Sequence, residues 1–306
     1  MGTTFSFSWE VPLLEWLQTN LGEAGLFLAQ GITLLGEEMV IIALLSFLYW
    51  CYDKKMGCFI GINLTASMIA GSMIKNLVLR RRPYFDHPSV QPYKKADASG
   101  DLYDITAQGY SFPSMHSLNS AALYGSIPVY RKNGWLWIVG IAVPFLIGLS
   151  RLQLGVHYPT DVLVGWAVGA LFVALLSFVQ KKVSRPILYG ILTALALIGC
   201  FFCHTSDYYT CLGTMIGFFA ADLFEERFVR FQNTRTVWIA LLRVAVGFGI
   251  FFGLNALLKL PFSPEFLASP TAGAFAVRSA RYAVTVFVLM GLYPLSFRLI
   301  PDRKAV

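Results

Sequence analysis

The run Pro159-Thr160-Asp161-Val162-Leu163-Val164-Gly165-Trp166-Ala167-Val168-Gly169-Ala170-Leu171-Phe172-Val173-Ala174-Leu175-Leu176-Ser177-Phe178-Val179-Gln180 decides the fold class. After Asp161 in its first turn it carries no further charge for about 20 residues, the length that crosses a hydrocarbon core of roughly 30 Å. Proline suits the first turn of a helix, so the run predicts a transmembrane helix that starts at Pro159. Working outward, similar apolar runs fall at 36–52, 56–80, 114–130, 134–150, 186–203, 211–226, 236–260 and 277–299, which predicts nine spans in all, or eight without the short run at 211–226 with its polar end. The composition agrees, because 56% of the 306 residues are hydrophobic and 13% are charged. A soluble domain does not have that balance. The expectation is an all-α, polytopic helical membrane protein. Residues 9–21 alternate tryptophan and leucine with carboxylates at helical spacing and predict a helix lying in the membrane interface.

The formal charge of +7 raises the question of a nucleic-acid partner. The basic residues stand in short clusters between apolar spans instead of along one polar face, so no nucleic acid is expected. By the positive-inside rule, Lys54 and Lys55, Arg131 and Lys132, Lys181, Lys182 and Arg185, Arg227, Arg230 and Arg235, and Arg303 and Lys304 mark cytoplasmic loops. The segments 81–113, 151–158, 204–209 and 261–276 then face the other side. Arg80, Arg81, Arg82, Lys94 and Lys95 are basic on that non-cytoplasmic side; binding of an anion is one reading for them, and for the arginine run a simple interfacial anchor is the other. The N-terminus has no basic n-region or cleavage site, so insertion through the chain's own spans is expected. Cys51, Cys58, Cys200, Cys203 and Cys211 have no metal-ligand spacing and read as small buried hydrophobes. A Cys203–Cys211 disulfide is open to them if the polar loop between faces an oxidising compartment.

Three segments carry candidate chemistry. Lys75 and Arg82 are seven residues apart, which would put both on one helical face if the helix ran through them. Lys75 taken alone reads first as snorkelling to the interface. Ser114 opens a span after Ser111-Phe112-Pro113, so its hydroxyl and the amides of Met115 and His116 would sit at a helix N-terminus, where an anion is welcome. That segment also reads as an ordinary helix start. In Ser150-Arg151-Leu152-Gln153-Leu154-Gly155-Val156-His157-Tyr158-Pro159-Thr160-Asp161, Asp161 follows His157 by four residues and could accept a proton from its ring. Catalysis and proton relay are both open to such a pair. Under the expected topology all three segments share one membrane face. Their three cations, hydroxyl, amides, two histidines and carboxylate match the needs of phosphoryl transfer.

Lys, six residues, Arg-Pro; Pro-Ser-x-His; and Ser-Arg, five residues, His, three residues, Asp together resemble the three-part signature of the type 2 phosphatidic acid phosphatase superfamily. The likeness spans residues 75–161. It implies His157 as phosphorylated nucleophile, His116 as general acid and Asp161 as the partner that orients His157. It also implies a phosphate cradle of Lys75, Arg82, Ser114, Met115 and Arg151, with Met115 standing where the pattern usually has glycine. A methionine there would crowd the pocket or change the local backbone. The resemblance further implies a six-helix phosphatase core over 36–203 with the outer loop 81–113, preceded by an interfacial region at 1–35 and followed by a C-terminal transmembrane extension at 204–306. No metal or cofactor is called for, since the three cations do what magnesium would otherwise do.

The expected reaction is hydrolysis of a lipid phosphate or diphosphate whose tail stays in the bilayer, at the non-cytoplasmic face of a bacterial plasma membrane. The substrate range runs from phosphatidate and sphingoid phosphates to polyprenyl diphosphates. Phosphotransfer to an alcohol, a sugar-phosphate substrate, and a transporter or flippase of anionic lipids are the other readings. Arg243 within a span calls for a carboxylate, and Asp222 is the nearest by depth. Glu37 and Glu38 read as plain helix-start residues. Nothing in the sequence sets an oligomeric state.

Overall fold

The computed structural model describes residues 2–95 and 100–300; Arg303 and Lys304 lie outside them. Its described residues form thirteen α-helices and no strand, joined by short connections. In order they are α1 (Glu10–Thr33), α2 (Glu38–Phe47), α3 (Lys54–Val78), α4 (Pro83–Asp86), α5 (Ile105–Gln108), α6 (Met115–Arg131), α7 (Leu136–Gln153), α8 (Pro159–Val179), α9 (Arg185–Ile198), α10 (Ser206–Phe224), α11 (Val237–Leu257), α12 (Pro264–Ala268) and α13 (Ala272–Phe287). The expected all-α, multi-span class is what the chain adopts.

Among the described residues, five helices are long and apolar enough to cross a membrane: Lys54–Val78, Leu136–Gln153, Pro159–Val179, Val237–Leu257 and Ala272–Leu299. A sixth is reached if Glu10–Gly36 and Glu38–Tyr52, bent by 47° at their junction, count as one span. By length and composition the structure therefore falls short of nine. The apolar runs at 114–130 and 186–203 are helical, but α6 has 17 residues and α9 has 14. The run at 211–226 belongs to α10, which carries Asp207 in its first turn and Asp222 near its end.

The chain separates into two compact units, Met1–Ile41 with Ala70–Leu175, and Ile42–Ile69 with Leu176–Val306. They follow packing instead of the chain-order division at 36 and 203, and α2, α3 and α8 each run from one unit into the other.

In the first unit, α1 reaches well beyond the stretch 9–21, passing a break at Gly22 (φ +51°) on its way to Thr33. One face of it is core, with Leu14 and Leu17 packing with Val90, Leu152, Tyr158 and Val162, while Trp9 and Trp16 stay exposed. α6 and α8 meet where Gly165 and Gly169 face the backbone carbonyls of Ser114 and Leu118. A methyl group at either glycine would come within 2.6 Å of those oxygens, so only glycine allows the approach. The turn between α7 and α8 passes through Gly155 at φ +70°, where a Cβ would also strike the carbonyl of Gln91 at 2.3 Å.

The second unit uses the same device. Gly213 and Gly217 on α10 face the carbonyls of Ser279 and Ala283 on α13. Its buried charges do not pair as expected. Asp222 accepts from Arg185 (2.9 Å), the Tyr189 hydroxyl (2.7 Å) and the Cys58 thiol (3.1 Å). Arg243 instead donates to the carbonyls of Trp50 and Gln232 and lies 4.0 Å from the centre of the Phe297 ring. Backbone oxygens and an aromatic face thus meet the demand that was assigned to Asp222. All five cysteines are free thiols, so Cys203 and Cys211 form no disulfide.

Candidate active site

The site is assembled within the first unit from three chain segments. α3 stops at Val78 because Leu79 takes a left-handed conformation, φ +53°, and the next residues pair with the N-terminal arm through Thr3. Lys75 and Arg82 therefore do not share a face of one continuous helix. Lys75, in the last turn, donates to the Tyr110 carbonyl at 2.7 Å. Arg82 lies beyond the helix at the start of α4 and donates to the carbonyls of Gln108 (2.9 Å), Gly109 (3.2 Å) and Val156 (3.1 Å). Both are buried.

The second segment enters α6. The Ser114 amide donates to the Asp161 carbonyl at 2.9 Å, which ties this segment to the third. The Ser114 hydroxyl accepts from the Ser117 amide and hydroxyl, 3.4 and 3.1 Å away, so it caps the helix and keeps its own hydrogen as a donor. Met115 follows with ordinary helical backbone, and the place does not need a glycine. Its side chain packs on α3, where the sulfur sits 3.0 Å from the point a Gly71 side chain would occupy. Gly71 supplies the room that Met115 needs.

The third segment joins α7 to α8. Arg151, buried in the last turn of α7, donates to the Thr33 hydroxyl at 2.9 Å, and its Nε is buried with no partner. His157, 2% exposed, lies in the connection outside the membrane-crossing helices. Its Nδ1 is 3.5 Å from Asp161 Oδ2, a separation longer than a hydrogen bond that catalytic pairs show before substrate arrives. Burial, reinforced by the positive charges of Arg82, Arg151 and Lys75, pushes the His157 imidazole well below its ordinary pKa. The three segments thus bring Lys75, Arg82, Arg151 and His116 close enough for their charges to act on His157, while the Met115 side chain turns to α3.

Three further residues complete it. Arg80 is fully buried between Glu10 Oε2 (2.6 Å) and Asp161 Oδ1 (2.8 Å), and also reaches Thr160 at 2.7 Å. Its guanidinium stacks 3.7 Å from the Tyr158 ring centre. Glu10 closes the circuit by accepting from the Thr160 hydroxyl and amide, at 2.6 and 3.0 Å. Glu37, at the bend between α1 and α2, sits 3.4 Å from His116 Nε2 and pairs with Lys94. The basic cluster is therefore largely spent on internal contacts: Arg80 as above, Arg81 with Asp86, Lys94 with Glu37, and Lys95 with the Gly100 carbonyl. Of that cluster, Arg82 faces the histidine.

Comparison with known proteins matches residues 56–185 to a family model described as the PAP2 superfamily. A second model, described as the PAP2 superfamily phosphatase, transmembrane extension, matches residues 209–303. The decaprenylphosphoryl-5-phosphoribose phosphatase of Mycobacterium tuberculosis is 32% identical over 145 residues, 46% of this chain and 73% of that protein. The undecaprenyl-diphosphatase of Sulfolobus acidocaldarius is 29% identical over 155 residues, 50% of this chain and 68% of that protein. The phosphatidylglycerophosphatase B of Bacillus subtilis is 34% identical over 90 residues, 26% of this chain and 44% of that protein. No solved structure matches the chain.

Proposed function

This chain belongs to the PAP2 superfamily and is a multi-pass membrane phosphatase, and on that premise we propose that it hydrolyses a lipid phosphate or diphosphate through a phosphohistidine at His157. The observation that carries this reading is a buried histidine held neutral beside three cations, with a carboxylate against its Nδ1.

Asp161 takes the Nδ1 proton into a hydrogen bond, which leaves Nε2 with its lone pair to attack phosphorus. Lys75, Arg82 and Arg151 hold the non-bridging oxygens, with the Ser114 hydroxyl and the amides that open α6 as further donors. As the phosphorus–nitrogen bond forms and the phosphorus–oxygen bond breaks, His116 gives its proton to the leaving oxygen. It then takes a proton from the water that attacks the phosphohistidine and frees inorganic phosphate. Glu37 favours the protonated form of His116 against the burial and the Arg151 charge, which push its pKa down. Arg80 and Glu10 act as positioning residues, since the Arg80 bond to Oδ1 aims the other oxygen of Asp161 at His157.

Lipid is the proposed substrate class because Arg151 and His157 sit at the ends of two helices able to cross a membrane, where a head group can enter while its tail stays in the bilayer. The substrates named for the relatives, prenyl-linked and glycerolipid phosphates, fall in that class. The basic loops motivate a non-cytoplasmic site in a bacterial plasma membrane. The test is phosphate release from lipid phosphates in liposomes, together with acid-labile labelling of the protein by a radioactive substrate. His157→Ala is expected to lower turnover at least about 1,000-fold and to abolish the label. Labelling that survived in this variant would refute the mechanism.

A further inference from the structure

The second unit contains a cleft of its own. Past the end of α11 the chain turns through Lys259, Leu260 and Phe262, forms α12 and enters α13, and these pieces border an open cleft of about 550 Å³. That size suits a head group and the start of a chain. The lining divides by chemistry. Lys259, Arg278 and Arg281 bring three positive charges, and Leu260, Phe262 and Leu267 an apolar wall. Among the described residues, no carboxylate lines it.

Arg281 is incomplete as it stands. It is 6% exposed, its Nη2 donates to the neutral amide oxygen of Asn255 at 2.5 Å, and its Nε is buried with no partner. A buried guanidinium with an unfilled donor calls for an acceptor. Two other cations of the same unit have carboxylates, Arg185 with Asp222 and Glu226, and Lys54 with Glu225. Arg278 is one turn before Arg281 on α13 and faces the same way.

We propose that this cleft is a second, non-catalytic binding site for a phosphate group, seated among Lys259, Arg278 and Arg281. Phosphate oxygens supply the acceptors that Nε and the Arg278 fork lack, with the bidentate geometry that arginine favours. A lipid head group and free inorganic phosphate share this chemistry. The apolar wall, with Leu260 76% exposed, would hold the first carbons of a lipid chain. This site is built from residues that take no part in the proposed chemistry at His157, so either can fail without the other.

The test uses the full chain in neutral-lipid nanodiscs and a photoactivatable phosphatidate, with crosslinks mapped by peptide. Saturable labelling of the 258–282 region is expected in the wild type and equally in His157→Ala, which separates the two sites. Arg278→Gln combined with Arg281→Gln should reduce that labelling at least tenfold. Lys259→Gln, on an exposed side chain that can be changed without disturbing the fold, should reduce it several-fold. Displacement by unlabelled phosphatidate alone identifies a lipid head group as the ligand, and equal displacement by inorganic phosphate identifies the free ion. Labelling by an uncharged diacylglycerol probe to the same extent, or labelling indifferent to Lys259→Gln in a protein of unchanged melting temperature, would overturn the proposal.

Discussion

Arg80 and Arg151 are both buried guanidiniums close to the candidate nucleophile, yet they are held in opposite ways. Arg80 spans two buried carboxylates and a hydroxyl. Arg151 makes one bond to a threonine hydroxyl and keeps a buried Nε without a partner. The second unit repeats the first pattern around Asp222, which takes an arginine, a tyrosine and a thiol at once. Residue type alone does not separate a structural charge from a reactive one; what separates them is how far the surrounding protein has satisfied it. A saturated cation has no bond to offer a substrate. A cation left short of acceptors carries a desolvation cost that an arriving phosphate relieves.

Breaking the saturated cluster should have the largest effect. Arg80→Met strands the buried carboxylates of Glu10 and Asp161, and is expected to cost about 3–5 kcal/mol of stability as well as activity. Arg80→Lys, which keeps the charge but loses the fork, should recover much of the stability and less of the turnover. Thermal unfolding in detergent, measured beside phosphate release, checks both. A melting temperature unchanged in Arg80→Met would mean that the cluster does not support the site.

Arg151→Met inverts this pattern. Removing a cation that the resting protein leaves undersatisfied should cost little stability, yet lower kcat/KM by about 100- to 1,000-fold through the lost bond to the transferring phosphoryl group. Stability and turnover falling together would place Arg151 with the structural charges. Asp222→Asn should do the opposite in the second unit. It is expected to cost about 2 kcal/mol, less than a fully buried pair because Arg185 is 40% exposed, with turnover per folded molecule unchanged.

The difference between the arginines was not legible in the sequence. Three ordered motifs were, because the residues read as binding phosphate all lie within 75–161 and repeat the family signature in type and spacing. Arg80, Arg81 and Arg82 are adjacent and chemically identical, and their division of labour comes from Leu79. Its left-handed turn ends α3 early and aims each side chain differently. The helical-face argument therefore predicted that Lys75 and Arg82 lie near one another, which they do around His157, by a route the chain does not take. Glu10 and Glu37 come from outside the motifs, and only folding brings Glu10 to Arg80, 70 residues away. A carboxylate in the first turn of an amphipathic helix gives no sign that it will be fully buried. Arg243 shows the same limit, since depth in the membrane pointed to Asp222 while carbonyl oxygens, invisible in sequence, hold it.

The smallest expected effect is the most discriminating, because it reads the charge around His157 directly. Burial and the charges of Arg82, Arg151 and Lys75 all disfavour the imidazolium, so His157 stays neutral to a pH well below the ordinary histidine range. The acid limb of kcat/KM that belongs to free His157 should lie correspondingly low. Removing a neighbouring positive charge that lowers the pKa should move the limb to higher pH in Arg151→Met. The substrate phosphate contributes an ionisation of its own, but that limb is the same for both proteins and cancels in the ratio of their profiles. A ratio that is flat with pH would mean that the Arg151 charge is not felt at His157, and that its role is confined to the bound phosphate. A ratio that falls on the acid side places both groups in one electrostatic site before any substrate arrives.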